Sequence, residues 1–423
     1  MIKKLSIFCF FLTTLVGLSA QQYDQISIGA GYIDQTYYSL KQGIIQSNDY
    51  RVWDISFSTQ GVQDGGIFIN EAAHLNADSQ LELFHVPNGN YDQNITVDLD
   101  AWSQLYNPDQ NWQTGAFNTI ASESNPADYG WGIYNPSTME VTGQSVYVIK
   151  LRNNNYKKIF IESLSTVYNF KYANLDGSDE YNVTISKADF AGKTVAHYSL
   201  EDNQVVNIEP ESWDLLFTRY MDYVSDGNGT FLDYSLTGVF SGVDVQVAQA
   251  DGVNPSQAKE SDYLDLYTSQ VDEIGYDWKS FNIGMLQWSM VEGRVYFVKN
   301  TDNNICKIAF VDFEGSMTGV TTITKECNIV ADVTDVSNTS LTSVNVFPNP
   351  ASNYVDLALD FKSKTTAQIS VIDITGKTHM SLPYVFNSGF QSTRIDLNVP
   401  SGNYIILLET ADYVKHLSLI VTN

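Results

Sequence analysis

Hydrophobic positions alternate with polar ones at a spacing of two in several stretches of this chain. Tyr168, Phe170 and Tyr172 alternate with Asn169, Lys171 and Ala173, and Val355, Leu357, Leu359 and Phe361 alternate with Asp356, Ala358 and Asp360. Successive side chains of a strand point to opposite faces, so this spacing predicts strands with one buried face. No long segment carries the 3.6-residue period of an amphipathic helix, so little helix is expected. Strands are predicted over 146–173, 214–220 and 234–247, and near 353–361, 367–374, 392–398, 402–410 and 414–421. Turns are expected at Asp64-Gly65-Gly66, Asp176-Gly177-Ser178 and Asp226-Gly227-Asn228-Gly229. Residues 67–110 read as irregular and 111–143 as a long loop region.

The pattern repeats. YSLKQGIIQSNDYRVWDISF (Tyr38 to Phe57) returns as YSLEDNQVVNIEPESWDLLF (Tyr198 to Phe217), so that Trp53-Asp54 falls on Trp213-Asp214 without a gap. VYVIKLRNNNYKKIFI (Val146 to Ile161) returns as VYFVKNTDNNICKIAF (Val295 to Phe310). NWQTGAFN (Asn111 to Asn118) loosely matches DWKSFN (Asp277 to Asn282). Units this long exceed the ~20–50-residue periods of solenoids. Two tandem β domains are expected, over 21–190 and 191–328. A Ser/Thr/Asp-rich linker at 329–342 and a small β-sandwich at 343–423 complete the predicted all-β chain.

The first 20 residues break the pattern. Lys3 and Lys4 precede an apolar run from Leu5 to Leu18 that ends in small residues, the layout of a secretory signal peptide. The run is too short for a transmembrane helix, which needs ~20 apolar residues. No other stretch reads as a membrane anchor.

Composition agrees with β structure: of 423 residues, 13% are aromatic and only 17% charged. The formal charge is −26, nearly all of it between residues 21 and 340. Such a surface repels phosphate backbones, so nucleic acid is excluded as a partner. Cys306 and Cys327 fall outside the leader. A hairpin closing near Glu314–Met317 would set them opposite each other, at disulfide range in an oxidising compartment; two separate buried thiols are the alternative.

The C-terminal segment resembles the type A sorting domain of the type IX secretion system of Bacteroidota. The resemblance rests on VFPNPA (Val346 to Ala351), DITGK (Asp373 to Lys377), SGNYII (Ser401 to Ile406) and a late Lys415 before a closing strand. It implies that Pro348, Asn349, Pro350, Gly376, Lys377, Gly402, Tyr404 and Lys415 form the sorting signal. It also implies passage across the outer membrane and contact with the secretion machinery, ending in release or surface attachment.

The two central units resemble the HmuY family of haem-binding surface proteins, in the order of Trp-Asp strand, variable region, VYFVK-like strand and KIAFVDF-like strand. The resemblance implies haem as ligand and host haem proteins as partners. Where the family carries a ligand histidine after W-x-x-F, this chain has Ile283, and residues 221–294 contain no histidine. Met285 and Met290 lie nearby and offer thioether sulfurs as axial ligands or as core filler; His85 is the corresponding candidate in the first unit. His74 also lies in the first unit's variable region, but nothing aligns it with a ligand position. His197 reads as structural. Trp53 and Trp213 read as core residues, with Asp54 and Asp214 satisfying backbone N–H groups. The acidic turns lack the spacing of a calcium loop, and the chain contains no H-E-x-x-H, G-x-S-x-G or phosphate loop. These readings lead to a secreted, non-enzymatic binding protein for haem, or to an adhesin that contacts glycans or proteins.

Overall fold

The computed structural model describes residues 22–72, 80–225, 229–328, 341–373, 377–410 and 414–422. The predicted signal peptide, His74, most of the linker, Gly376 and most of the turn at 226–229 lie outside them. Among the described residues every long element is a strand, joined by 3-10 turns of three or four residues. The chain divides into two compact units, residues 1–329 and 330–423.

The first unit holds two large cores. One gathers residues from Ile55 to Leu200, among them Phe57, Trp131, Tyr168, Phe170 and Tyr172. The last three are the alternating aromatic face, each fully buried, and removing such side chains from water stabilises the fold by about 1.5–3 kcal/mol apiece. The other core joins Ile26, Tyr38 and Leu40 to residues from Leu215 to Ile323.

That division departs from the boundary expected at 190/191. Gln22–Ser27 pairs with Val320–Asn328, and Asp34–Ser39 pairs with Leu215–Ser225 through Tyr38↔Leu215 and Thr36↔Phe217. The second copy does the converse. Tyr181–Ser186 pairs with Val167–Asn174, and Val195–Ser199 pairs with Ile55–Ser58 through Tyr198↔Ile55 and Ala196↔Phe57. The opening strands of each repeat therefore complete the sheets of the other. The physical reason is the crossing segment: the chain leaves one half after Gly43–Asp49 and enters the other at Ile55–Ser58, so Trp53 and Asp54 sit on the crossover, as Trp213 and Asp214 do in the second copy.

The expected hairpin forms between Ile305–Phe313 and Val320–Asn328, closing through a turn at Gly315–Met317. Cys306 faces Cys327 in register and the two are disulfide-bonded. Residues 67–110, expected to be irregular, contribute Ile67–Ile69, Glu82–Val86 and Gln104–Leu105.

The second unit is a two-sheet sandwich. One sheet runs Leu341–Phe347, Tyr354–Phe361, Gly389–Asp396, and the other Thr378–Phe386, Thr365–Asp373, Gly402–Thr410, Val414–Val421. Leu341–Phe347 begins inside the expected linker. Thr378–Phe386 contains Pro383, which lacks an N–H to donate; the strand lies at the sheet edge, where that loss is tolerated.

Candidate functional site

The two crossovers meet a half-open cavity of about 90 Å³ at the seam between the halves. Each crossover is fixed by its aspartate. The Asp54 carboxylate accepts from the Leu200 N–H at 2.7 Å, and Asp214 accepts from the Leu40 N–H at 2.6 Å. In the same corners the Asp54 N–H donates to the Tyr198 carbonyl and the Asp214 N–H to that of Tyr38. Each YSL segment thus caps the Trp-Asp pair of the opposite copy. Asp54 and Asp214 satisfy backbone N–H groups as the sequence suggested, and the N–H groups come from the other repeat.

With the aspartates turned to the backbone, the tryptophans face the cavity. Trp53 donates its indole N–H to Gln35 Oε1 at 3.0 Å, and Trp213 donates to Glu209 Oε1 at 2.9 Å. Trp112 donates to the Ser241 carbonyl at 2.9 Å. It is held by an Asx turn in which Asn111 Oδ1 accepts from the N–H groups of Gln113 and Thr114. Its ring stands almost at right angles to Trp213 and Phe240, with centroids 6.0 and 6.1 Å away. Trp53 is buried, whereas Trp213 and Trp112 are only half-buried. The expectation that both repeat tryptophans are core residues holds for Trp53; Trp213 forms a cavity wall.

His197 occupies the cavity floor, 4% exposed, with its ring 4.5 Å from Trp53. Neither ring nitrogen has a hydrogen-bond partner among the described residues. Burial pushes its pKa down to about 3, so the imidazole is neutral at pH 7. The Tyr220 hydroxyl, also buried and also on the lining, likewise has no hydrogen-bond partner among the described residues. Native structures satisfy nearly all buried polar groups, so two orphans beside one cavity stand out. The sequence reading of His197 as structural did not foresee its unpaired ring nitrogens. In the sequence it looks like any strand residue, and only the loss of neighbours at the seam distinguishes it.

Three carboxylates line the cavity. Glu209 accepts from the N–H groups of Thr194 and Val195 as well as from Trp213. Glu71 accepts from Asn107 N–H at 2.7 Å and Met221 N–H at 3.2 Å, so it ties the halves together. Burial nevertheless pushes its pKa up to about 8. Asp109 is pushed up to about 9, first by burial and then by Glu71, Asp222 and Asp272. Arg219 is the only lysine or arginine on the lining among the described residues.

The candidate haem ligands are elsewhere. Met285 is 68% exposed in the turn between Lys279–Asn282 and Gln287–Met290. Met290 packs against the core of the second half. His85, expected in an exposed loop, lies in Glu82–Val86, half-buried against Tyr147 in the other half, because that strand pairs with Val146–Lys150. The three do not come together, and none lines the cavity. At about 90 Å³ the seam cavity is smaller than the roughly 300–1,000 Å³ pockets of drug-sized ligands.

In the sandwich, several residues of the expected sorting signal make hydrogen bonds within the fold. The peptide bonds before Pro348 and Pro350 are cis. Between and after them, Asn349 Oδ1 accepts from the Ile420 N–H at 2.8 Å and the Ala351 N–H donates to the Ile420 carbonyl. The Lys377 N–H donates to Asp373 Oδ1. Tyr404 is buried and donates its hydroxyl to the Pro400 carbonyl at 2.9 Å. Gly402 opens the strand Gly402–Thr410, and Lys415 is exposed on Val414–Val421.

No curated protein matches the chain, and the HmuY-like order of the two repeats is without a family match. Among solved structures, the chain aligns with dimeric latent PorU from Porphyromonas gingivalis at 9% identity and a TM-score of 0.17, over 95% of this chain and 34% of that one. The chain thus spans about a third of that protein's length, and so low a score carries no argument. Residues 345–422 match the secretion system C-terminal sorting domain family. The protein therefore carries a type IX sorting domain, which directs export across the outer membrane to the cell surface or the extracellular space.

Proposed function

We propose that this exported protein is a non-enzymatic binding protein whose ligand sits in the seam cavity. The observation that carries this reading is the fully buried His197, whose two ring nitrogens face no partner among the described residues while its ring lines the cavity. A catalytic imidazole works within hydrogen-bond reach of a nucleophile or an orienting group. Among the described residues His197 has neither, which favours a binding role for this imidazole. A cavity of about 90 Å³ suits a small molecule or the head of a larger one, not a porphyrin.

The test is a thermal-shift screen of small metabolites, hemin included, against the full chain and its Leu216→Phe variant. Leu216 lines the cavity and is 8% exposed, so a larger ring there fills it. A small ligand should raise the melting temperature of the parent and leave the filled variant unmoved, while hemin gives no saturable Soret shift with either. Ligands that stabilise both proteins equally, or a saturable hemin band, would refute the proposal.

A further inference from the structure

We propose that the seam cavity takes a small organic cation, an alkylammonium or quaternary ammonium head, seated against Trp112, Trp213 and Phe240 with Asp109 and Glu209 beside it. This rests on the seam cavity being the binding seat, and it names the class of ligand.

Four features point to positive charge. The first is the wall. All three indole N–H groups are already committed to protein acceptors, so what the rings offer a ligand is their faces. Trp112 stands at 89° to Trp213 and 86° to Phe240, which makes a corner of π surfaces. A cation is drawn to such faces by the ring quadrupole, and aromatic corners of this kind hold quaternary ammonium groups.

The second is charge. Among the described residues the lining carries three acidic groups, Glu71, Asp109 and Glu209, and one arginine, Arg219. Glu71 and Asp109 hold their protons at neutral pH and become negative only as they ionise. Arg219 has the ring of Tyr32 5.8 Å from its guanidinium carbon. The whole chain is at −26, a field that draws cations toward the cleft and repels anions.

The third is the chemistry of the orphans. A neutral imidazole presents a lone pair, and Tyr220 presents a hydroxyl oxygen. Both are uncharged acceptors, so neither repels a cation. An anion would need His197 protonated, which its burial opposes.

The fourth is the state of the acids. Asp109 faces Glu71, Asp222 and Asp272, with Asp233 acting on Glu71 and Tyr220 and Arg219 close by. Burial and this like charge hold Asp109 and Glu71 protonated well above the ordinary carboxylate range. A bound cation favours their ionised form, so binding releases protons and tightens as the pH rises toward 9.

The experiment titrates choline into the purified full chain, with calorimetry and tryptophan fluorescence as readouts. Two comparison probes are the neutral isostere of choline in which carbon replaces nitrogen, and pivalate as an anion of similar bulk. Choline should bind saturably, about tenfold tighter than the isostere, and pivalate should not bind. Proton release should appear as a dependence of the apparent enthalpy on the buffer at pH 8. Asp109→Asn should weaken choline about tenfold and diminish that release, while circular dichroism and the melting temperature report that it folds. Choline binding no tighter than the isostere, or unchanged in Asp109→Asn, overturns the assignment. If the isostere or pivalate binds and Leu216→Phe removes that binding, the cation is wrong and the cavity reading stands. If Leu216→Phe leaves choline binding untouched, both fall.

Discussion

Asp54 and Asp214 occupy equivalent corners, but their surroundings differ in charge. Asp54 also meets Arg152 at 2.9 Å, with both side chains at least 90% buried. Asp214 has the neutral side chains of Ser39 and Asn300 beside it and, among the described residues, no cation; the Asp302 carboxylate acts on it as like charge. Burial raises both carboxyl pKa values, and the Arg152 charge and the Leu200 and Glu201 N–H groups pull that of Asp54 back. Removing one member of a buried ion pair leaves its partner's charge exposed to a poor solvent, at a cost of about 3–5 kcal/mol. Removing an acceptor from backbone N–H groups costs about 1–3 kcal/mol. Asp54→Ala should therefore destabilise the protein by more than Asp214→Ala, measured as urea midpoints at constant slope. Equal losses would mean that Arg152 adds nothing at this corner. The repeated Trp-Asp pair is plain in the sequence, and so is the need of a buried carboxylate for N–H donors. The inequality of the two copies is not, because Arg152 lies far along the chain from Asp54.

At the scale of elements, the exchange of opening strands makes the two halves depend on each other. A fragment of residues 191–328 keeps both Trp213 and Asp214 but lacks Gln22–Ser27 and Asp34–Ser39, which pair with Val320–Asn328 and Leu215–Phe217. It also lacks Ile26, Tyr38 and Leu40 from its core. Unpaired edges with an exposed apolar face favour aggregation, so this fragment should show no cooperative thermal transition by circular dichroism. Adding residues 22–49 through a flexible linker should restore one. A cooperative transition in the bare fragment would show the exchange to be dispensable. Elements with local partners were the legible ones. The Cys306–Cys327 pair follows from a single hairpin, and the alternating face at Tyr168–Tyr172 from period two. The exchange was not legible, because Tyr38-Ser39-Leu40 and Tyr198-Ser199-Leu200 have the same sequence, and nothing in either says which Trp-Asp strand it joins. The edge strand Thr378–Phe386 was hidden by Pro383. The cavity was hidden for a related reason: its lining comes from both copies and from the loop carrying Trp112, so no one stretch contains it.

Over the whole molecule, the acidic balance and the buried carboxylates act on stability in the same direction but through different physics. Glu71 binds its proton up to about pH 8 and Asp109 up to about pH 9 in the folded chain, against ordinary values near 4 when unfolded. The folded state thus holds more protons than the unfolded state across that range, and stability falls as the pH rises through it. His197 opposes this with one site: its pKa is lowered to about 3, so the folded state gains as the pH rises toward the ordinary histidine value. Lys279 and Lys187, lowered to about 7 and about 8, oppose it only at higher pH. The melting temperature of the full chain should therefore fall from pH 5 to pH 8 and turn upward above pH 8, where Lys279 and Lys187 together outweigh Asp109. Repulsion among the exposed charges behind the net −26 predicts a decline over part of the same range, so salt separates the two causes. Exposed charges are screened over a Debye length of about 3 Å at 1 M salt, and groups in a desolvated seam are screened much less. A decline that persists in 1 M salt and shrinks in the double variant Glu71→Gln, Asp109→Asn belongs to the seam. A decline that salt abolishes belongs to the surface, and the seam carboxylates would then be ionised at neutral pH without cost to the fold.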